Sequence, residues 1–262
     1  MRFRIHQRLL LKSAFLFSIL ALSCQNVDTT PPAAPTGLTS VTGDRAVYLY
    51  WNPNKEKDLA GYRVYRNTAP SGYFMMIADV RENSYVDRDV ENGITYYYAV
   101  SAYDSAGNES ELSQKDCFDT PRPEGYNMKI YEKDYLPSFS GYCFNKYSPV
   151  PYNSADADFY FDVQSGTARI VASVGTLIQD MGAYNMDDIS YAPLTGWDSD
   201  GVLDAIQGHV YVVWTRDNHF AKFRIKVLDN TFLVFDWAYQ VAVGNRELVK
   251  KNLIENKGVS HD

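Results

Sequence analysis

The chain has 262 residues, 45% hydrophobic and 15% aromatic, with 25 basic against 32 acidic side chains for a formal charge of −7. That acidic balance favours solubility and gives no electrostatic grip on phosphate backbones, so nucleic acid is excluded as a partner. The length suggests two domains, and the many aromatic and β-branched residues between Gly, Pro, Asn and Asp punctuation point to an all-β protein.

Arg2, Arg4, Arg8 and Lys12 precede an apolar-leaning run from Ser13 to Leu22, too short to span a bilayer and flanked like a secretory signal. The stretch Leu20-Ala21-Leu22-Ser23-Cys24 resembles a bacterial lipobox. This resemblance implies cleavage before Cys24, a diacylglyceryl group on its thiol, and a lipid-anchored protein of the bacterial cell envelope. Gln25 in place of an aspartate after the cysteine implies the outer membrane where the host has two membranes. Residues 1–23 carry four of the 25 basic residues and no acidic one, so the remainder stands at −11.

Residues 24–36 are polar and proline-rich without apolar periodicity, and an extended, partly flexible tether is expected there. From 37 to 120 the pattern is that of short strands. Val47, Leu49 and Trp51 alternate with Tyr48 and Tyr50, and Gly61 to Arg66 repeats the alternation with Tyr62 and Val64. Further strands are expected over Tyr73 to Ala78, Ser84 to Val86 and Thr95 to Asp104, with a weak edge from Glu111 to Phe118. Strand signals at this spacing indicate a sandwich.

Several runs carry a specific resemblance: Pro35-x-Gly37-Leu38, Trp51, Gly61-Tyr62-Arg63-Val64-Tyr65-Arg66, Asn92 to Ala102, and Asp104-Ser105-Ala106-Gly107-Asn108-Glu109-Ser110. Together, over roughly 31–118, they resemble a fibronectin type III domain. The resemblance implies a rigid spacer with a core tryptophan and a tyrosine corner at Tyr96. No Arg-Gly-Asp occurs, so integrin-type adhesion is not implied.

Residues 121–155 hold Pro121, Pro123, Pro137, Pro149 and Pro151 and are read as a transitional linker, because proline blocks long regular elements. Cys117 and Cys143 flank the start of this segment; in an exported chain they either form a disulfide or stay as two separate thiols. Residues 156–262 are read as a second antiparallel β domain. Strands are expected over Phe159 to Val163 and Thr167 to Val174, joined at Ser165-Gly166, and then over Val210 to Thr215, Phe220 to Leu228 and Thr231 to Val241. Gly175 to Gly208 reads as loop. Asp217-Asn218 and Asp229-Asn230 suit tight hairpin turns. The tail from Asn245 reads as a short helix or a frayed end.

Phe161-Asp162-Val163, Ala192-Pro193-x-x-Gly196-Trp197, Tyr211 to Phe223 and Trp237-x-Tyr239-Gln240 are similar to stretches of the HmuY-like haem-binding lipoproteins. That similarity implies an outward-facing β domain that clasps haem between axial side chains. This chain departs from it at the ligands. It offers His209, His219 and His261, with Met181 and Met186 as soft donors. A two-residue turn at Asp217-Asn218 sets His219 opposite Arg216 and leaves His209 roughly 23 Å away along the strand, too far to share one iron.

Asp198, Asp200 and Asp204 offer oxygen donors at spaced positions for Ca²⁺, without the third alternate ligand and closing glutamate of a full loop. Asp156, Asp158 and Asp162 read as a solvent-facing acidic row. No GxSxG, HExxH, P-loop or dinucleotide fingerprint occurs. Tyr48, Tyr50, Tyr65, Tyr97 and Tyr103 fall in the outward phase of their strands and form a candidate binding surface for a protein or glycan. The sequence is therefore expected to encode a non-catalytic interaction or adhesion module with a fibronectin type III spacer. The alternative is a haem or small-ligand carrier, and the third possibility, resting on the compartment alone, is an extracytoplasmic hydrolase.

Overall fold

The computed structural model describes residues 27–115 and 117–249; Cys24 and His261 lie outside them. Two sheets enclose the first core. The strands β1 (Thr39–Gly43), β2 (Ala46–Tyr50) and β5 (Ser84–Asp87) form one sheet in the order β1-β2-β5. The other runs β4-β3-β6-β7, from β3 (Leu59–Asn67), β4 (Met75–Val80), β6 (Tyr96–Asp104) and β7 (Cys117–Asp119). The alternation read from the sequence decides the faces: Val47, Leu49 and Trp51 are buried, with Tyr62, Val64, Tyr98 and Val100 opposite them. Trp51 meets Tyr62 edge-on at 5.3 Å. At the corner, the Glu91 amide donates to the Tyr96 hydroxyl at 3.0 Å, which ties the loop before β6 to its first residue. The expected outer edge over 111–118 shrinks to the three residues of β7.

The tether does not hang free from residue 27 onward. The Asn54 amide donates to Ala33 O at 2.8 Å and the Asn108 amide to Asp28 O at 3.0 Å, pinning the segment against the sandwich. Prolines favour this outcome, because a chain already restricted to extended geometry loses less entropy on docking.

The second body starts earlier than the proline content suggests, and 121–155 is not a linker. Here β8 (Glu124–Tyr131) is the edge strand of one five-stranded sheet, ordered β13-β15-β16-β17-β8 with β13 (Leu177–Gly182), β15 (Val210–Trp214), β16 (Phe220–Leu228) and β17 (Phe232–Gln240). The other sheet is ordered β10-β9-β11-β12-β14, from β9 (Gly141–Cys143), β10 (Ser148–Val150), β11 (Phe159–Gln164), β12 (Thr167–Ala172) and β14 (Val202–Asp204). The prolines sit where they cost no ladder hydrogen bond: Pro121 and Pro123 before β8, Pro137 opening a 3₁₀ turn, and Pro149 in the edge strand β10. Ser165 and Gly166, at φ 51° and 81°, make the expected two-residue turn between β11 and β12.

Aromatic rings fill the space between these sheets. Phe159 and Phe223 stack at 4.5 Å, with Tyr142, Phe144, Phe161, Phe235 and Tyr239 around them. The outer face of the β13–β8 sheet is covered too: Val210, Val212 and Phe220 pack with Ile189, Ala192 and Leu248. Lys222 lies under this cover, fully buried, and its ammonium donates to the carbonyls of Met186 and Ile189. Burial pushes that ammonium well below its ordinary pKa. The tail at Leu248 and Val249 is buried strap rather than frayed end.

A bonded junction joins the two bodies. Arg122 N donates to Gly43 O at 3.1 Å and Gly93 N to Pro121 O at 2.8 Å, while the Arg122 guanidinium reaches Leu248 O. Gly93 is at φ +85°, and a Cβ there would meet Val241 Cγ2 at 2.7 Å, so glycine permits the close approach. The two cysteines left open on the sequence lie in different cores. Cys117 packs in the first sandwich core, whereas Cys143 is buried with Val150 and Ala157 in the second body.

Candidate functional site

The hairpin between β15 and β16 gathers the chemistry of the second sandwich. Thr215 N donates to His219 O at 2.9 Å and Asn218 N to Thr215 O at 3.0 Å, with Asn218 at φ 64°. The loop is therefore the three residues Arg216, Asp217 and Asn218, not the two-residue turn expected at Asp217-Asn218, and His219 stands opposite Thr215 rather than Arg216. The Thr215 hydroxyl bonds to Asp217 and accepts from His219 N, and Asn218 tolerates the left-handed position; together they select this longer turn.

One side of Arg216 is a carboxylate pocket of about 130 Å³, walled by Cys143, Asn145, Asp156, Asp158, Asp217 and Tyr239. The Asp158 side chain is 8% exposed, accepts from Phe144 N at 2.8 Å and lies 3.8 Å from the Arg216 guanidinium. Burial raises its pKa to about 6, with Asp217 and Asp156 adding to the rise against Phe144 N and Arg216. Burial also works to raise Asp217, but hydrogen bonds from Thr215 and His219 hold its carboxyl below the usual range. Two carboxylates pushed apart resemble an acid and base pair. Yet Asp158 is committed to a backbone amide, and the pocket is less than half the roughly 300 Å³ typical of small ligand sites.

Asp158 carries a signed pH prediction. Its folded pKa of about 6 exceeds the ordinary 3.8, so the folded state holds the extra proton between those values and stability falls as pH rises through them. Asp158→Asn keeps an acceptor for Phe144 N without titrating. The unaltered protein is expected to lose on the order of 2–3 kcal/mol relative to this variant across that window. Urea midpoints at a series of pH values measure the loss; a pH-independent difference contradicts it.

The other side of Arg216 is an aromatic cleft of about 280 Å³, lined by Gly175, Leu177, Trp214, Thr215 and Asn218. Leu177, Trp214 and Phe220 are cross-strand neighbours on the outer face of the sheet. Phe220 stacks on Trp214 at 5.4 Å, Trp197 lies 5.9 Å from it, and its Nε1 donates to Asn218 Oδ1 at 3.0 Å. A larger groove of about 500 Å³ between Ala34–Leu38 and Leu112–Gln114 carries no titratable side chain in its wall.

The residues singled out from the sequence fall apart in space. Tyr48 and Tyr50 lie on one sheet of the first sandwich, and Tyr65, Tyr97 and Tyr103 on the other. Tyr65 bonds to Glu109, Tyr103 bonds to Asp79 and Tyr97 packs on Phe118, so the five make no single surface. Asp158 and Asp162 are buried, at 6% and 2% exposure, rather than solvent-facing. Asp198 closes its own loop, Oδ1 accepting from Asp200 N and Gly201 N, while Asp204 sits in β14 opposite Arg169. Among the described residues the acidic group whose oxygens converge, within 4.8 Å, is Asp28, Asp58 and Asp104, which no linear motif marks.

His209 and His219 occupy opposite ends of the β15–β16 ladder, roughly 20 Å apart by strand rise. His209 bonds to Asp180 at 2.9 Å, and His219 lies 3.2 Å from Asp217. Met181 and Met186 pack against the apolar cluster of Ile189 and Val210.

No known family profile matches the chain. A stretch of 96 residues is 34% identical to part of an amylopullulanase from Thermoanaerobacterium saccharolyticum, covering 36% of this chain and 7% of that enzyme. Another of 111 residues is 32% identical to part of exoglucanase B from Cellulomonas fimi, covering 41% and 10%. The chain thus spans a tenth or less of the length of these relatives. An Fn3-like protein from Clostridium thermocellum is 31% identical with a TM-score of 0.30, covering 34% of this chain and 92% of that one. The first sandwich, with its strand order, core tryptophan and tyrosine corner, is a fibronectin type III domain. The described residues form an all-β protein in which that domain is joined to a second, larger antiparallel sandwich.

Proposed function

We propose that the chain is a non-catalytic, carbohydrate-associated accessory protein of the bacterial cell envelope. In this reading the fibronectin type III domain carries the second sandwich, as a binding head, away from a lipid on Cys24. The observation that carries it is the sequence likeness of the first domain to parts of an amylopullulanase and an exoglucanase, enzymes named for polysaccharides. The aromatic cleft beside Trp214 supports it, and the bonded junction suits a spacer that must hold its head in a fixed direction.

Sedimentation with insoluble starch and with cellulose tests the carbohydrate reading. Depletion of the purified protein from the supernatant by at least one of them, reversed by soluble oligosaccharide, is expected; depletion by neither defeats it. Anchoring is tested separately. Cys24→Ser is expected to move the protein from the detergent phase to the aqueous phase or to stall it with its signal attached. Unchanged detergent partitioning of a processed variant argues against the lipid.

A further inference from the structure

We infer that the cleft beside the β15–β16 hairpin seats a pyranose ring of a neutral gluco-oligosaccharide, with Trp214 as the stacking platform. The inference rests on the carbohydrate reading above and gives it a location. Trp214 is only partly buried, and the cleft opens beside it. It is held in place: Phe220 and Trp197 pack against it, and Asn218 Oδ1 fixes its Nε1. A platform immobilised before binding loses little further entropy when a ligand arrives. The apolar C–H face of a pyranose matches such a ring, and the sugar hydroxyls at its edge require donors and acceptors within reach.

Asn218 supplies such a group in the cleft wall. Asn218 uses its oxygen on Trp214, which leaves the amide nitrogen to donate. Leu177, 38% exposed, extends the apolar wall beside Trp214.

Charge selects the ligand class. Arg216 borders the cleft, yet its guanidinium is turned away, donating to the carbonyls of Ala155 and Ala157 beside Asp158. What it offers the cleft is its stem, since a Cβ on Gly175 would meet Arg216 Cβ at 3.3 Å. A uronate, sulfate or phosphate would find the Arg216 guanidinium already engaged by backbone carbonyls, and Asp217 in the adjoining turn would repel it. A neutral sugar has no charge to compensate.

Titration calorimetry of the purified protein with maltohexaose and with cellohexaose tests the assignment. Saturable binding of at least one is expected, and Trp214→Ala is expected to weaken it about tenfold or more, the scale of one lost stacking contact. Asn218→Gly, which keeps the left-handed turn, and Leu177→Asp are surface changes that leave the core intact. They are expected to weaken binding several-fold, and they decide the matter should Trp214→Ala unfold by circular dichroism. Undiminished affinity in these folded variants places the sugar elsewhere and overturns the site while leaving the carbohydrate reading standing. Failure of the unaltered protein to bind either sugar, or starch and cellulose, overturns both.

Discussion

Phe223→Ala is expected to destabilise the second sandwich by about 3–5 kcal/mol, the scale of a large-to-small change in a close-packed core. Phe223 is fully buried in β16 and touches both layers, stacking on Phe159 at 4.5 Å and on Tyr211 at 5.1 Å and meeting Phe235 edge-on at 5.5 Å. Neighbours held on rigid strands cannot close over the cavity, so loss of contact adds to loss of burial. Phe139, 50% exposed in the turn after Pro137, is the control of the same chemistry. Its truncation is expected to cost less than about 1 kcal/mol. Denaturant unfolding of the two variants decides this, and equal losses contradict the assigned core.

The fibronectin type III domain is expected to respond in the same way at Trp51. Trp51→Ala removes the ring that closes the Val47-Leu49-Trp51 row and meets Tyr62, and it is expected to cost about 3–5 kcal/mol. Tyr50→Ala, one residue earlier and 40% exposed, is expected to cost far less. Because the domains share a bonded junction, unfolding is best followed with two probes, so that a separate transition of either body is seen. Similar losses at both positions mean that the faces of β2 are reversed.

The first domain was legible in the sequence because each strand is half-buried and writes its face in period two: Val47, Leu49 and Trp51 in, Tyr50 out. The β15–β17 meander was legible for its length and aromatic content. What the pattern hid lies mostly where both faces of a strand are covered. Lys222 falls between Ala221 and Phe223 in what reads as a solvent-facing phase, yet a loop and the tail bury it, and the loop carbonyls of Met186 and Ile189 hold the ammonium. Asp158 and Asp162 mislead in the same way. The segment 121–155 read as linker because its prolines were weighed by number; their positions, before a strand, in a turn and on an edge, cost nothing.

The sites were less legible than the fold. The outward tyrosines share a phase but not a sheet, and period two cannot show which sheet a strand joins. Trp214 and Leu177 lie 37 positions apart in sequence and become neighbours only through the β13–β15 register. The hairpin turn was located, yet its length depended on the Thr215 hydroxyl and the left-handed Asn218, which placed His219 one position from where a two-residue turn sets it.

The account stands most directly on whether this chain holds a neutral glucan without cutting it. The decisive measurement incubates the purified protein with maltohexaose and with cellohexaose and follows bound sugar and new reducing ends in the same samples. Saturable binding of one of them with no increase in reducing ends is the predicted result. Release of reducing ends that scales with protein, or the absence of any bound sugar, contradicts it.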